Sequence, residues 1–302
     1  MAKVDRAKSF WNIIKAVSVQ AIAKEARAPV ALAVVGPEQD RLPVLRALYA
    51  DDGELAAFPE VRVFNSLSPD DGFPTESGSF DVVIDAGAAR AGASAGSAVY
   101  SLSQVGGWEP LVAHVLDDRP DLALSLARRF PGFREEVSRR VIRETAVANA
   151  EFAMLNALPG VIPPLAILLP TTAIGDIVIL AKNQAMMLFR LAAAHNLPLD
   201  LTSRSPDLAP LLGNAFGWRA LARQLVAVVP GGVGVAARGA IAYAGTVALG
   251  EALRRLYALG QKPNRAQVAR LYRESLTEAR DVAKSIAGRL PLRRRGQLRQ
   301  QQ

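Results

Sequence analysis

The sequence predicts two fold classes in one chain: a small parallel α/β module, followed by an all-α domain of two apolar helical hairpins. Three observations carry this. Three short runs rich in β-branched residues, ALAVV (31–35), VRVF (61–64) and DVVID (81–85), have the length of buried strands, and RLPVLRALYA after the first has helical spacing. Beyond Asp121 the strand signals stop. Two long apolar stretches interrupted by proline then take over, within a chain of 302 residues that is long enough for two cores.

Charge follows the same division. Residues 29–122 hold 15 acidic and 5 basic side chains, whereas residues 254–302 hold 13 basic and 3 acidic. An acidic module inside a basic frame suits either an anionic partner or charge complementarity within the chain. The expected organisation is an amphipathic basic helix over 1–28, the α/β module over 29–126, the helical domain over 127–288 and a basic disordered tail over 289–302. Composition removes several chemistries. With no cysteine there is no disulfide, thiolate metal site or cysteine nucleophile, and two histidines, His114 and His195, cannot build a histidine-rich metal centre. No metal or cofactor is expected.

The first segment mixes Lys3, Lys8, Lys15 and Lys24 among apolar residues and lacks a small-residue cleavage site, so it does not read as a signal peptide. Phe10, Ile13, Ile14, Val17 and Ala21 fall at helical spacing. Such a helix lies on a membrane surface or packs on a domain.

The α/β module opens with a strand, a glycine and a helix, the outline of a P-loop. A phosphate cradle requires G-x-x-x-x-G-K-[ST], because glycines let backbone N–H groups approach the phosphates while lysine and hydroxyl serve phosphate and magnesium. Aligned on Gly36, the second glycine is Arg41, the lysine is Leu42 and the hydroxyl is Pro43, and Glu38 and Asp40 place negative charge where phosphate would sit. Asp85 ends the third run as a Walker-B-like carboxylate, yet Ala88 replaces the glycine of D-x-x-G and no N-K-x-D follows. The reading is a degenerate P-loop-like module that does not take GTP, with Asp85 a cap or turn former. Gly92-Ala93-Ser94-Ala95-Gly96 matches G-x-S-x-G, the nucleophile elbow, with His114 or His195 as the base. It sits in a glycine-rich loop without the strand and helix that the elbow requires.

In the helical domain a pattern runs from Glu135 to Leu158 with Val137, Val141, Ala148, Phe152 and Leu155 on one face. Residues 152–175 carry no charge, long enough to cross a bilayer, but Pro159, Pro163, Pro164 and Pro170 interrupt them, so PGVIPP reads as a turn between two helices. The second stretch carries only Arg238 between Leu225 and Gly250, and Pro230, Gly231 and Gly232 break it. Apolar turns want cover, by lipid or by protein. Phe216, Trp218, Arg219 and Arg223 form an aromatic and basic collar suited to a membrane interface. Full crossing would leave a basic segment outside, so re-entrant insertion or a tucked bundle fits better. Ala236, Ala240, Ala244 and Ala248 recur every four residues, a ridge for close helix approach in lipid or in a soluble bundle. Asp176, set among aliphatics, either caps a helix from Ile177 to His195 or pairs across the bundle with a basic residue such as Arg238. Met186, Met187, Phe189 and Leu191 read as core. A final helix is capped by Asn264, buries Val268, Leu271, Val282 and Ile286, and ends at Gly288, and Arg293, Arg294 and Arg295 follow it.

The strings NAEFAMLNALPGVIPP, DIVILAKNQAMMLFRLAA, FGWRALARQL and GAIAYAGTVALGEALRRLY, in this order over residues 135–285, resemble an uncharacterised bacterial helical domain family. That domain often follows Era-like small GTPase domains and is commonly assigned to the inner membrane. The resemblance implies a GTPase-like history for residues 30–122 and a place at the cytoplasmic face of the inner membrane, and it transfers no catalytic residue. The expectation is a non-catalytic membrane-associated adaptor or scaffold, integral by hairpin insertion or peripheral. Lipid is its expected partner, with a protein partner or second copy as a further one, and no specific nucleic acid is expected. The alternatives are a soluble cytoplasmic interaction scaffold and an enzyme, either a residual GTPase or a hydrolase acting through Ser94.

Overall fold

The computed structural model of the chain describes residues 19–50, 61–74, 79–87, 98–157, 172–200, 202–204, 206–207 and 234–289. They fall into two compact units. One comprises residues 19–140 with 190–199, and the other comprises 141–189 with the described residues from 200 onward. The mixed α/β and helical class expected from the sequence is present.

The first unit begins with α1 (Val19–Ala26), β1 (Leu32–Val35) and α2 (Glu38–Tyr49). The strands β2 (Val61–Phe64), β3 (Val82–Asp85) and β4 (Val99–Ser101) complete a four-stranded sheet in the order β2-β1-β3-β4. Every pair is parallel, with Leu32 beside both Val61 and Val82, and Val83 beside Val99. Parallel strands are covered on both faces and therefore read as continuous apolar runs, and all four residues of β1 are buried. Side chains alternate along a strand. Ala33, Val35 and Val83 thus share one face, covered by Phe73 and Phe80, with Phe64 meeting those two rings edge-on at centroid distances of 5.2 and 5.7 Å.

Helices α3 (Leu102–Val105), α4 (Trp108–Asp118) and α5 (Ala123–Arg129) follow the sheet. At its amino edge, Asp81 accepts the Ala31 N–H at 2.8 Å, and the Asp81 carbonyl accepts from Arg119 Nη1 at 3.1 Å. Arg119 also forks onto Asp121 at 3.1 and 3.0 Å, which holds that carboxyl below the usual range. In α1 the expected apolar face included Ala21. The structure exposes Ala21 and buries Ile22 and Ala26, one residue further round the helix.

Helices α6 (Arg134–Leu155) and α7 (Thr172–Ala194) each contribute to both units. The second unit adds α8 (Val235–Leu259) and α9 (Arg265–Arg289). These two form an antiparallel hairpin, as the Tyr243 hydroxyl donating to Glu278 at 2.8 Å requires. Gly260, at φ 67°, ends α8 with its N–H on the Leu256 carbonyl. Asn264 caps α9 as expected and does so reciprocally: the Gln267 N–H donates to Asn264 Oδ1 at 2.9 Å and the Asn264 N–H to Gln267 Oε1 at 2.7 Å. Leu271 and Ile286 are buried, Val268 and Val282 pack beside them, and the helix runs one residue past Gly288.

Two helix readings change. The face expected on α6 included Ala148 and Leu155, and both are exposed. Val137 and Val141 are buried as expected, and the buried face continues through Ile142, Ala146, Ala150 and Met154, of which the alanines and the unbranched methionine admit a close neighbour. Helix α7 begins at Thr172, so Asp176 lies within it and cannot be its N-cap.

Candidate functional site

Open α/β sheets take ligands at the carboxyl edge where successive connections leave in opposite directions. Here that point lies between β1 and β3, since β1 connects to β2 on one side and β3 stands on the other. Protein closes it. Gly36 and Gly87 have φ of 140° and 142°, and a Cβ on Gly36 would come within 3.3 Å of the Gly87 nitrogen. A Cβ on Gly87 would lie 3.0 Å from Asp40 Oδ2. Glycine is favoured at both positions, because each needs a backbone region that side chains rarely adopt and a Cβ at either would press tightly on its neighbour.

The connection from β1 to α2 consists of Gly36 and Pro37 alone. Residues 38–43, which a phosphate loop would wrap around its ligand, are already helical. The N–H groups of Asp40 and Arg41 both donate to the Pro37 carbonyl at 3.0 Å, and the first turn carries Glu38 and Asp40. Arg41, standing at the second glycine of the cradle pattern, turns sideways: its Nη1 donates to the Phe64 carbonyl at 2.9 Å and to Asn65 Oδ1 at 2.8 Å. Asp85 accepts the Gly87 N–H at 3.0 Å, the turn-forming geometry of an aspartate at a strand end.

The elbow pattern around Ser94 lies outside the described residues. Of its candidate bases, His114 is half exposed, 3.8 Å from Asp118, with its ring edge-on to Tyr100 at 5.4 Å. His195 Nε2 stands 3.3 Å from Ser138 Oγ. That serine–histidine pair escaped the sequence reading because 57 residues separate its members. Ser138 is fully buried on α6, which gives an acyl substrate no approach. An open depression of about 460 Å3 beside the edge strand β2 is lined by Arg62, Phe64, Gly72, Pro74, Ser79 and Phe80 among others, one cation among walls of mixed polarity. Among the described residues no three His, Asp or Glu side chains converge to hold a metal ion.

In the helical unit, Ala240, Ala244 and Ala248 are buried and Ala236 packs beside them. Their neighbours are Ala146, Ala150 and Met154 of α6 and Leu271, Tyr272, Ala279, Ala283 and Ile286 of α9. Gly239 and Gly250 extend the ridge: a Cβ on Gly250 would come within 2.6 Å of Ile142 Cγ1, and one on Gly239 would strike Met154. The ridge therefore receives helices of its own chain.

A polar chain ties the same helices together. Asn183 donates to Asn149 at 2.8 Å, Asn149 to Thr246 at 2.9 Å, and Thr246 to the Ala242 carbonyl at 2.8 Å. Each buried group is thereby satisfied. Asp207 Oδ2 accepts from Tyr257 and from Arg204, each at 3.0 Å, and the guanidinium stands 5.6 Å from the tyrosine ring centre. Burial first, and then the Asp207 carboxylate, raise the Tyr257 phenol. The three-residue spacing of Arg204 and Asp207 was visible in the sequence, while Tyr257, fifty residues on, was not.

The other predicted positions divide plainly. Met187, Phe189 and Leu191 are buried and Met186 partly so, the core reading of that stripe. Arg238 is exposed. Pro159, Pro163, Pro164, Trp218, Arg219, Pro230, Gly231 and Gly232 lie outside the described residues. No protein family, curated protein or solved structure matches the chain, so the resemblance over 135–285 rests on its quoted strings.

Proposed function

We propose that this chain is a non-catalytic, membrane-associated adaptor or scaffold: a degenerate P-loop-like, pseudo-GTPase module joined to a helical domain of two apolar hairpins. The hairpin turns dip into the cytoplasmic face of the inner membrane, and the acidic module is left to engage a protein partner or a second copy. The observation that carries the non-catalytic half is the two-residue connection from β1 to α2. It leaves no loop to wrap a phosphate, and it delivers Glu38 and Asp40 where phosphate charge would fall.

The lipid half rests on sequence. The charge-free run 152–175 and the run entered through Trp218 and Arg219 give turns that water does not favour. Among the described residues no helix is long and apolar enough to cross a membrane, and re-entrant turns do not need one.

Fractionation of cells expressing the full chain tests the reading. The expected result is recovery with inner membranes at low salt, with carbonate separating an inserted form, which stays, from a peripheral one, which leaves. Recovery wholly in the soluble fraction overturns it. Nucleotide binding measured with and without magnesium tests the other half, and saturable magnesium-dependent GTP binding would sink it. The burial of the alanine ridge of α8 favours a second reading, a soluble helical interaction scaffold, and the same fractionation separates the two.

A further inference from the structure

We propose that the edge strand β2 pairs antiparallel with β2 of a second copy of this chain, joining the two sheets into one. The inference rests on the reading above in one respect, that the acidic module is the half that engages a partner, and it is independent of the lipid half. The Gly36 N–H donates to the Phe64 carbonyl at 3.0 Å, so Phe64 turns its backbone toward β1. Backbone groups of successive residues on a parallel strand point to opposite sides. Arg62 therefore also faces β1, and the N–H and C=O of Val61 and Val63 face outward. Neither valine has a further backbone partner among the described residues, and Val63 is 47% exposed.

The strand's own sequence selects the register. A twofold axis runs two copies of one strand antiparallel and makes every contact reciprocal. Because side chains alternate between faces, only residues that share a face can stand opposite each other. Two such registers keep most of the strand paired. One sets Arg62 against Arg62 of the second copy, and like charges directly opposite repel. The other sets Val63 against Val63 and Arg62 against Phe64. It exchanges two N–H···O bonds between the Val63 residues and lays a guanidinium along an aromatic ring twice, so it is the register proposed.

Charge complementarity favours a second copy as the occupant. Residues 29–122 hold 5 basic side chains against 15 acidic. Two of the five are held within the module, Arg41 by the Phe64 carbonyl and Arg119 by the Asp81 carbonyl. Arg62 is exposed and makes no ion pair among the described residues. In the proposed register Arg62 of the second copy arrives at the carboxyl end of β2, where the chain leaving Phe64 carries Asp70, also exposed and in no ion pair among the described residues. The open depression beside β2, lined by Phe64 and Gly72, gives that side chain its room on the aromatic face. Cation, ring and carboxylate thus meet twice about the axis.

The test is self-association of the purified full chain, held in mild detergent so that apolar turns do not aggregate it. Short interfaces give weak complexes, so sedimentation velocity is read up to about 100 µM, where a concentration-dependent dimer is expected. Val63→Pro spares the ladder with β1, because that N–H faces outward, and removes both bonds of the reciprocal pair. Each is worth about fivefold in an equilibrium constant, so association should weaken about 25-fold. Val63→Lys sets two like charges opposite and should weaken it about fivefold, and at this exposed position it keeps the prediction testable if the proline variant fails to fold. The chain has no cysteine, so a short bismaleimide should join Val63→Cys to its copy faster than it joins Thr277→Cys, exposed on α9. A chain that stays monomeric, a dimer of parent strength in the Val63→Lys and Val63→Pro variants, or equal crosslinking at the two positions overturns the edge pairing and leaves the fractionation result standing. Recovery wholly in the soluble fraction overturns the membrane reading and leaves the pairing standing.

Discussion

Replacing Gly250 with alanine measures whether the second apolar stretch is covered by protein, and the sign of the effect decides. The new Cβ would stand 2.6 Å from Ile142 Cγ1, 2.9 Å from its Cγ2 and 3.1 Å from its Cδ1. A β-branched side chain on a helix has one strongly preferred rotamer, so Ile142 cannot swing away and the backbones have to part. Overpacking of this kind costs about 2–3 kcal/mol. Against it stands about 1 kcal/mol gained when alanine replaces glycine within a helix. The expected net loss is about 1–2 kcal/mol, whereas the same change on an uncovered helix would gain about 1 kcal/mol. Gly239 supplies the internal comparison. Its added methyl would meet Met154, an unbranched side chain with three rotatable bonds, so Gly239→Ala should fall within about 0.5 kcal/mol of the parent. Urea unfolding followed by far-UV circular dichroism, with the slope checked for constancy, reads all three proteins. Ile142→Ala in the Gly250→Ala background should show a coupling of about 1–2 kcal/mol, because it removes the atoms that clash. A Gly250→Ala protein as stable as the parent, or a coupling near zero, would refute the close approach of α6 and α8.

Three further outcomes follow from the geometry. Gly36→Ala forces a side chain into a backbone at φ 140° against the Gly87 nitrogen, and should cost about 1–3 kcal/mol; an unchanged melting temperature contradicts this. Asn264→Ala removes the reciprocal cap of α9 and should cost about 1 kcal/mol, with faster amide exchange confined to the first turn of that helix. Burial pushes the Tyr272 phenol from 10.0 up to about 12, which favours its neutral form in the fold. That contribution is complete below the unfolded value and is lost as pH rises through the folded one, so Tyr272→Phe should flatten the alkaline loss of stability between them. An alkaline limb identical to the parent's would show that another group controls it.

How much of this was legible depends on what each element asks of its residues. Strands β1 and β3 were readable because a parallel strand covered on both faces needs an unbroken apolar run, and LAVV and VVID supply one; β2 stands at the sheet edge and buries only Val61, with Arg62 and Val63 exposed, so the buried strand expected of VRVF holds in place but not in burial. Strand β4 is three residues, Val-Tyr-Ser, too short to show a period. Helix α9 announced both its cap and its face. Helix α6 did not: Phe152 and Leu155 suggested a face by size, while the structure buries Ala146 and Ala150, whose value to the core is the space they leave for α8. The start of α7 was also misjudged, although Pro170 followed by two threonines marks a helix entry as well as Asp176 does. At the carboxyl edge of the sheet the sequence excluded the cradle by residue identity. It could not foresee that Arg41 would turn to Phe64 and Asn65, a partnership across 23 and 24 positions. Most of the residues chosen for membrane contact, Pro159 and Trp218 among them, lie outside the described residues, so that part of the reading still rests on sequence.

The packing of α8 restricts where lipid can act. Its alanine ridge is taken by α6 and α9, and α9 turns Arg270, Arg273, Glu274, Arg280, Asp281 and Lys284 outward, all exposed. A helix with that outer face cannot lie against acyl chains, because each charge would lose its hydration with few partners to replace it. The outer face of α9, and not the flank of α8 that it covers, therefore meets water, and on the membrane reading any bilayer contact falls to the end of the hairpin opposite the polar turn at residues 260–264. That end is where α8 starts, at Val235, separated by two residues from the proline and glycines at 230–232. Arg238 is exposed one turn into the helix, and a long basic side chain there could reach headgroups if the proposed insertion occurs at this end. Shallow insertion limited to the turns predicts that lipid-phase photolabelling of membrane-bound protein marks peptides from 158–171 and 225–233 and spares α9. Label spread along α9 would mean that the charged face is not where this packing puts it, and the membrane reading would fail with it.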